Sequence, residues 1–191
     1  VFYGSDLARF QTAIVLAPEE PLRSALRVSF AISLGLNDAL GALAPPEVGV
    51  HLAWPNRIKV NGALCGTLTA AASTTDASAE PDWLIIGLDM PLMAAQSDEP
   101  GYTPDQTTLF DEGCSDIALP DLIETWGRHM MSWLHIYLTD GFEELHRAWL
   151  AVSDDRQNDD FVGLDEHGGL LVKSGSKTEL KPLTALLSNG A

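Results

Sequence analysis

Two cations spaced two residues apart, Arg57 and Lys59, are the clearest candidates in this sequence for holding an anion. On an extended strand residues i and i+2 project to one face, so the pair could bind a carboxylate or a phosphate. The competing reading is a solvated edge strand blunted by charge. Just upstream stand Trp54, Pro55 and Asn56. An indole and an amide there could meet a ligand ring and its polar edge, or form a buried Trp and an Asx turn. Gly66 interrupts an apolar run. A missing side chain at such a point marks either the floor under a ligand or a β-bulge.

Other chemistry is thinly supported. Cys65 could be a thiol nucleophile, but neither His nor Asp shares its local context, and a buried structural thiol is the simpler reading. Cys114 sits among acids, which should raise its pKa and dull it. Two cysteines make no disulfide framework. His129 and His135, six apart, fall off one helical face and make a poor metal pair, and the HExxH, CxxC and P-loop patterns are absent. Asp154, Asp155, Asp159 and Asp160 read as a solvated linker, and Trp126, Met130 and Trp133 as core.

The elements that must position these residues follow from periodicity. Arg9–Ala17 reads as a strand, and Pro21–Ala44 as one long helix ended by Gly41 and Pro45-Pro46. Val48–Trp54 alternates as a strand, Pro55 interrupts it, and Arg57–Val60 resumes it. Asn61-Gly62 is a two-residue hairpin signal leading into Leu64–Leu68. An exposed loop is expected over Ala70–Glu80, then an apolar strand over Trp83–Leu88 covered on both faces. A second loop covers Met93–Thr107, followed by a short helix at Leu109–Gly113. Helices are expected at Pro120–Leu138 and Phe142–Val152, broken by Asp140-Gly141. Ser153–Asp160 is the expected domain boundary, before short strands around Phe161–Leu164, Leu170–Lys173 and Thr178–Leu180.

Trp54-Pro55-Asn56, the Asn61-Gly62 turn and Leu64-Cys65-Gly66 together resemble the core motifs of the biotin–protein and lipoate–protein ligases, in the right order. The resemblance implies an α+β fold. A mixed β-sheet is packed by helices as in class II aminoacyl-tRNA synthetases and biotin ligases, over residues 1–153. A small SH3-like β domain occupies 159–191. That tail supplies only two or three of about five barrel strands, so strands are expected to be missing between Asn158 and Asp159. The resemblance also implies ATP-dependent activation of biotin or a lipoyl-type acid, with Mg in an active enzyme, and transfer to a lysine of a biotinyl or lipoyl acceptor domain. It adds Gly87, first residue of a reduced Gly-x-Gly-x-Asn motif ending at Pro91, to a ligand set of Trp54, Asn56, Arg57, Lys59 and Gly66. The chain departs from the family at the charged positions. Ala53 and Ala63 stand where the two lysines belong, Arg57 replaces an Asp, and Val1–Arg9 holds one basic residue. Alanine cannot replace a lysine at a centre where phosphate charge collects. The expected alternatives are a ligase with rearranged cations and a non-catalytic module that keeps the pocket to bind a small acid or a protein.

The 191 residues, 46% hydrophobic, suffice for one good core and a small appendage. A formal charge of −16 repels phosphate backbones, so nucleic acid is not an expected partner. The same acidity disfavours an acidic acceptor protein unless a local basic patch receives it. No run of eighteen apolar residues and no basic-then-apolar leader is present, so the expected location is the cytoplasm, without a membrane span. Whether the chain forms a homodimer is left open by the sequence.

Overall fold

The computed structural model describes residues 2–3, 8–93 and 105–187. A six-stranded sheet carries the fold, in the spatial order β1 (Phe2–Tyr3), β2 (Arg9–Leu16), β6 (Leu84–Pro91), β5 (Ala63–Ala72), β4 (Arg57–Val60), β3 (Val50–Ala53). Its named strands pair antiparallel, and isolated parallel bridges join Leu52 to Ser153, Leu64 to Gln106 and Ala70 to Leu187. Alternation sorts the two faces. Phe10, Ile58, Val60, Leu68, Leu84, Ile86 and Met90 are buried on the inner face, each 2% exposed or less. Their sequence neighbours Arg9, Gln11, Arg57, Thr69 and Asp89 take the outer face.

Helices cover the inner face. Pro21 starts α1 (Leu22–Ala25), and α2 (Val28–Leu43) follows after a break at Leu26–Arg27, where one continuous helix was expected. Bonds of the i→i+3 kind tighten the backbone there, and the Arg27 Nε–H donates to Ser24 O at 3.0 Å. The same guanidinium reaches the Glu20 carboxylate at 2.9 Å and lies over the Tyr137 and Phe142 rings, so the break is held by an ion pair and two aromatic faces. The Leu22–Leu43 stretch is apolar enough to cross a membrane by composition, but 67% of it is buried inside this fold. Helix α3 (Leu119–Asp140) lies against α2. Trp126 donates its indole N–H to Ile32 O and meets Phe10 edge-on at 5.8 Å. Gly141, at φ 85°, breaks the chain before α4 (Phe142–Val152), as the sequence predicts.

Several boundaries differ from expectation for local reasons. Strand β3 begins only at Val50, because the Gly49 N–H is taken by the Asn61 side chain. Strand β5 continues to Ala72 because β6 pairs with it that far. Strand β6 is buried on one face and half-buried on the other, so its apolar run serves one covered side rather than two. Leu109–Gly113 makes a single turn, closed by Cys114 N–H on Leu109 O, and not a helix. Much of the expected Met93–Thr107 loop lies outside the described residues.

Ser153–Asp160 is exposed from Arg156 onward but not at its start. Ser153 and Asp155 are buried, and Asp154–Gln157 forms a 3-10 turn capped by the Ser153 hydroxyl, which accepts from Asp155 N–H. Asn158 and Asp159 continue in a tight turn closed by Phe161 N–H on Asn158 O at 3.0 Å. A three-stranded antiparallel sheet follows, β7 (Phe161–Leu164), β8 (Leu170–Ser174) and β9 (Lys177–Lys181), consistent with a small SH3-like unit.

Candidate ligand-binding face

The outer face of the six-stranded sheet gathers the polar chemistry. Register places Gln11 beside Asp89, Asp89 beside Thr67, Thr67 beside Arg57 and Arg57 beside Ala53, one row across five strands. With neighbouring strands about 4.8 Å apart, the Asp89 and Arg57 backbones stand about 10 Å apart. Arg9 grips Asp89 with two bonds, Nε to Oδ1 at 3.0 Å and a terminal nitrogen to Oδ2 at 2.7 Å, and Gln11 adds a third at 3.4 Å. That carboxylate is held in place and largely neutralised. The Arg57 side chain is exposed and has no ion-pair or hydrogen-bond partner among the described residues.

The remaining predicted positions divide. Lys59 shares the outer face with Arg57, but its ammonium is 2.5 Å from the Asp154 carboxylate. Gly87 also lies on this face, and a Cβ there would come within 3.0 Å of the Thr69 hydroxyl. Gly66 pairs with Ile58 beside a bulge in β5, and a Cβ on it would meet Met90, so it packs toward the inner side. Trp54 is buried, with its indole N–H donating to Gly168 O at 2.9 Å and its backbone N–H to Asp155 Oδ2 at 2.6 Å. A cis peptide joins Trp54 to Pro55. Asn56 is locked to β5, its side-chain amide donating to Leu68 O and its carbonyl accepting from Leu68 N–H, both at 2.8 Å. Sequence reasoning missed Arg9, Gln11, Thr67 and Asp89. The alternation in β2 and β6 signals their shared side, but only the register joins them.

The segment 105–117 covers one end of β5. Glu112 ties it down, accepting from the Asn61 amide and the Thr107 hydroxyl, each at 2.6 Å. Both thiols are buried, Cys65 in β5 and Cys114 within the segment itself. Burial, and then Cys114, Glu112 and Asp111, push the Cys65 thiol up to about 12. Burial, with Glu112 and Glu47, also raises Cys114. Neither is an activated nucleophile. With dithiobis-nitrobenzoate at pH 8, the folded protein should release almost no thiolate within minutes, and two equivalents once denatured. Fast labelling of the native chain would contradict this burial.

No three His, Cys, Asp or Glu side chains converge as metal ligands among the described residues. Asp89, the one carboxylate in the outer row, is already saturated by Arg9 and Gln11. The described residues therefore offer Mg no set of ligands of their own.

Residues 1–151 match the sequence model of the biotin/lipoate A/B protein ligase family. The chain belongs to that family. A biotin–acetyl-CoA-carboxylase ligase from Paracoccus denitrificans is 23% identical over 194 residues, covering 95% of this chain and 80% of the relative. A biotin protein ligase-like protein of unknown function from Silicibacter sp. TM1040 is 41% identical, with a TM-score of 0.86 over 97% of this chain and 83% of that one. The biotin protein ligase of Aquifex aeolicus, solved with biotin and ATP, shares the fold at 18% identity, with a TM-score of 0.71 over 91% of this chain and 75% of that one. Against the family pattern, Ala53 is 5% exposed and lies in register with Arg57, while Ala63 pairs with Val60 at the hairpin end.

Proposed function

We propose that the outer face of the sheet binds a biotin- or lipoyl-type carboxylic acid, with the carboxylate on Arg57. The observation that carries this is the unpaired Arg57 guanidinium at the end of a polar row, directly after the Trp54-Pro55-Asn56 break. In the ligase family such an acid is activated by ATP and passed to an acceptor lysine, and ligation of this kind is the activity the binding would serve. Ala53 and Ala63 favour a second reading, in which the acid is held without being activated. Arg9 and Lys59 are already engaged by Asp89 and Asp154, so two of the three cations on this face would have to leave carboxylates to meet a phosphate.

Calorimetry with biotin, lipoate and octanoate, alongside pyrophosphate release in the presence of ATP, separates these readings. One acid should bind, and Arg57→Ala should weaken it roughly tenfold or more, as loss of a charge-assisted bond does. Release of pyrophosphate with that acid selects the ligase. Binding without release selects the holding protein. Equal affinity in the Arg57→Ala variant removes Arg57 from the site.

A further inference from the structure

A cavity of about 160 Å³ lies where the three-stranded sheet meets the start of α1. Its wall is almost wholly apolar, built by Ala77, Leu180, Pro182 and Leu183. Two glycines make the room. A Cβ on Gly169 would stand 2.7 Å from Leu180 Cδ1, and one on Gly168 would stand 3.1 Å from Leu183 Cδ2. Leu180 is the one apolar residue of β9, and it is 48% exposed. Leu183, at 3%, forms the buried end of the wall.

Polar groups border this hollow without closing on each other. The Arg23 side chain is exposed and has no ion-pair or hydrogen-bond partner among the described residues, while its backbone N–H is fixed to Ala77 O at 3.0 Å. Asp165 uses one oxygen in its own turn, Oδ1 accepting from His167 N–H at 2.9 Å and from Gly169 N–H at 2.7 Å. Its Oδ2 and the Thr184 hydroxyl have no hydrogen-bond partner among the described residues. His167, the remaining ionisable residue on the wall, has its Nε2 3.6 Å from the Glu166 carboxylate, so any charge on the ring is met there. One cation, one carboxylate oxygen and one hydroxyl therefore stay available around an apolar interior, the arrangement of a small-molecule site.

Size and charge select the ligand. An apolar cavity of about 150 Å³ holds about six carbons, so an aliphatic side chain of three or four carbons fits and an indole does not. A simple carboxylic acid would meet Arg23 but face Asp165 with like charge, and a simple amine would do the reverse. A zwitterion answers both, and it adds no net charge to a chain already at −16. We propose that this cavity binds a free aliphatic α-amino acid of the valine and leucine class. The side chain lies between Leu180 and Leu183, the carboxylate meets Arg23 and Thr184, and the ammonium meets Asp165. The site is separate from the outer face of the six-stranded sheet and does not depend on the reading of Arg57. Its occupant ties α1 to the β7–β8 turn, whose Gly168 O holds the Trp54 indole.

The test titrates the full chain by calorimetry with L-leucine and L-valine, and follows the Trp54 indole N–H resonance. Four further probes each change one feature. They are 4-methylpentanoate, without the ammonium; 3-methylbutylamine, without the carboxylate; Nα-acetyl-leucine methylamide, with neither charge; and L-tryptophan, with too large a side chain. One of the two aliphatic amino acids should bind and shift the resonance, and each of the four probes should bind roughly tenfold more weakly or not at all. Arg23→Gln and Asp165→Asn should each weaken the amino acid roughly tenfold. The Asn amide oxygen can still accept both turn bonds, so that variant removes the charge and keeps the turn. Leu180→Trp, at an exposed position, should fill the cavity and abolish binding. Failure of both amino acids to bind would overturn the proposal. So would equal affinity for 4-methylpentanoate, which marks an acid site, or for the acetylated amide, which marks a peptide-docking site. Binding that survives Leu180→Trp lies elsewhere in the molecule and overturns it as well.

Discussion

Alanine at position 35 should destabilise this protein, while alanine at position 127, on the helix facing it, should not. Gly35 lies where α2 crosses α3. A Cβ on it would stand 2.7 Å from both the Cα and the N of Met130, and 3.0 Å from its Cβ. These are backbone contacts, so no rotamer change relieves them and the two helices must separate. Separation would loosen the Trp126 indole bond to Ile32 O and the edge contact of Trp126 with Phe10. Overpacking of this kind costs about 1–3 kcal/mol, occasionally more. Against it stands the helix preference for alanine over glycine, worth about 1 kcal/mol. Gly35→Ala should therefore lose a net of up to about 2 kcal/mol, and Gly35→Leu should fail to fold or become insoluble. A Cβ on Gly127 would meet nothing within 4 Å, so Gly127→Ala keeps only the propensity gain and should stabilise by up to about 1 kcal/mol. Urea midpoints of the three variants decide the matter. A Gly35→Ala midpoint at or above the unsubstituted protein would mean the helices cross less tightly than described.

That crossing was not legible in the sequence. The periodicity of Leu22, Leu26, Phe30 and Leu36 announces a helix with a buried side, but α2 is buried on nearly every side, and Gly35 lies mid-helix with no local signal of its role. What depends on local chemistry reads well. Asn61 and Gly62 adopt φ of 49° and 89°, the left-handed pair that a two-residue hairpin needs. Gly141 separates α3 from α4, and Phe142–Val152 begins and ends where its apolar spacing does. Arg27 defeats the same logic. Its side chain satisfies partners from Glu20 to Glu166 O, and that long-range demand opens the helix where propensity would continue it.

The site divides along the same line. Arg57 and Lys59 share a face because strands alternate, and this is visible in two residues of spacing. That Lys59 is occupied by Asp154 depends on a contact 95 residues away. The Arg9–Asp89 pair spans 80 residues and is created by the β2–β6 register. Gly66 sits in the family position, and a Cβ on it would meet Met90 and the Asp89 carbonyl across the β5–β6 pair, a proximity that only the register creates.

Asp155 is the second place where one substitution should have a large effect, and its composition-level reading as a solvated acid conceals why. Strand β3 stops at Ala53, and Pro55, having no N–H, cannot continue a ladder. The Trp54 N–H is left buried without a sheet partner, and the Asp155 carboxylate supplies the acceptor at 2.6 Å. The Ser153 hydroxyl holds the turn that delivers that carboxylate. Asp155→Ala removes the acceptor and leaves a buried donor unsatisfied, a penalty of about 1–3 kcal/mol, rising when the lost partner is charged. We expect a loss of about 3 kcal/mol for Asp155→Ala, and less than half of that for Asp155→Asn, whose amide oxygen can still accept. The consequence extends to binding, because Trp54 is three residues from Arg57 and its indole is docked on Gly168 O. In Asp155→Ala the Trp54 indole N–H resonance should move and acid affinity should fall, with Asp155→Asn recovering most of both. A mere deficit of packing would also be recovered by the apolar near-isostere Asp155→Leu, so it is rescue by Asn and not by Leu that identifies the hydrogen bond. Urea midpoints of Asp155→Ala matching the parent would show that the Trp54 N–H does not depend on this carboxylate.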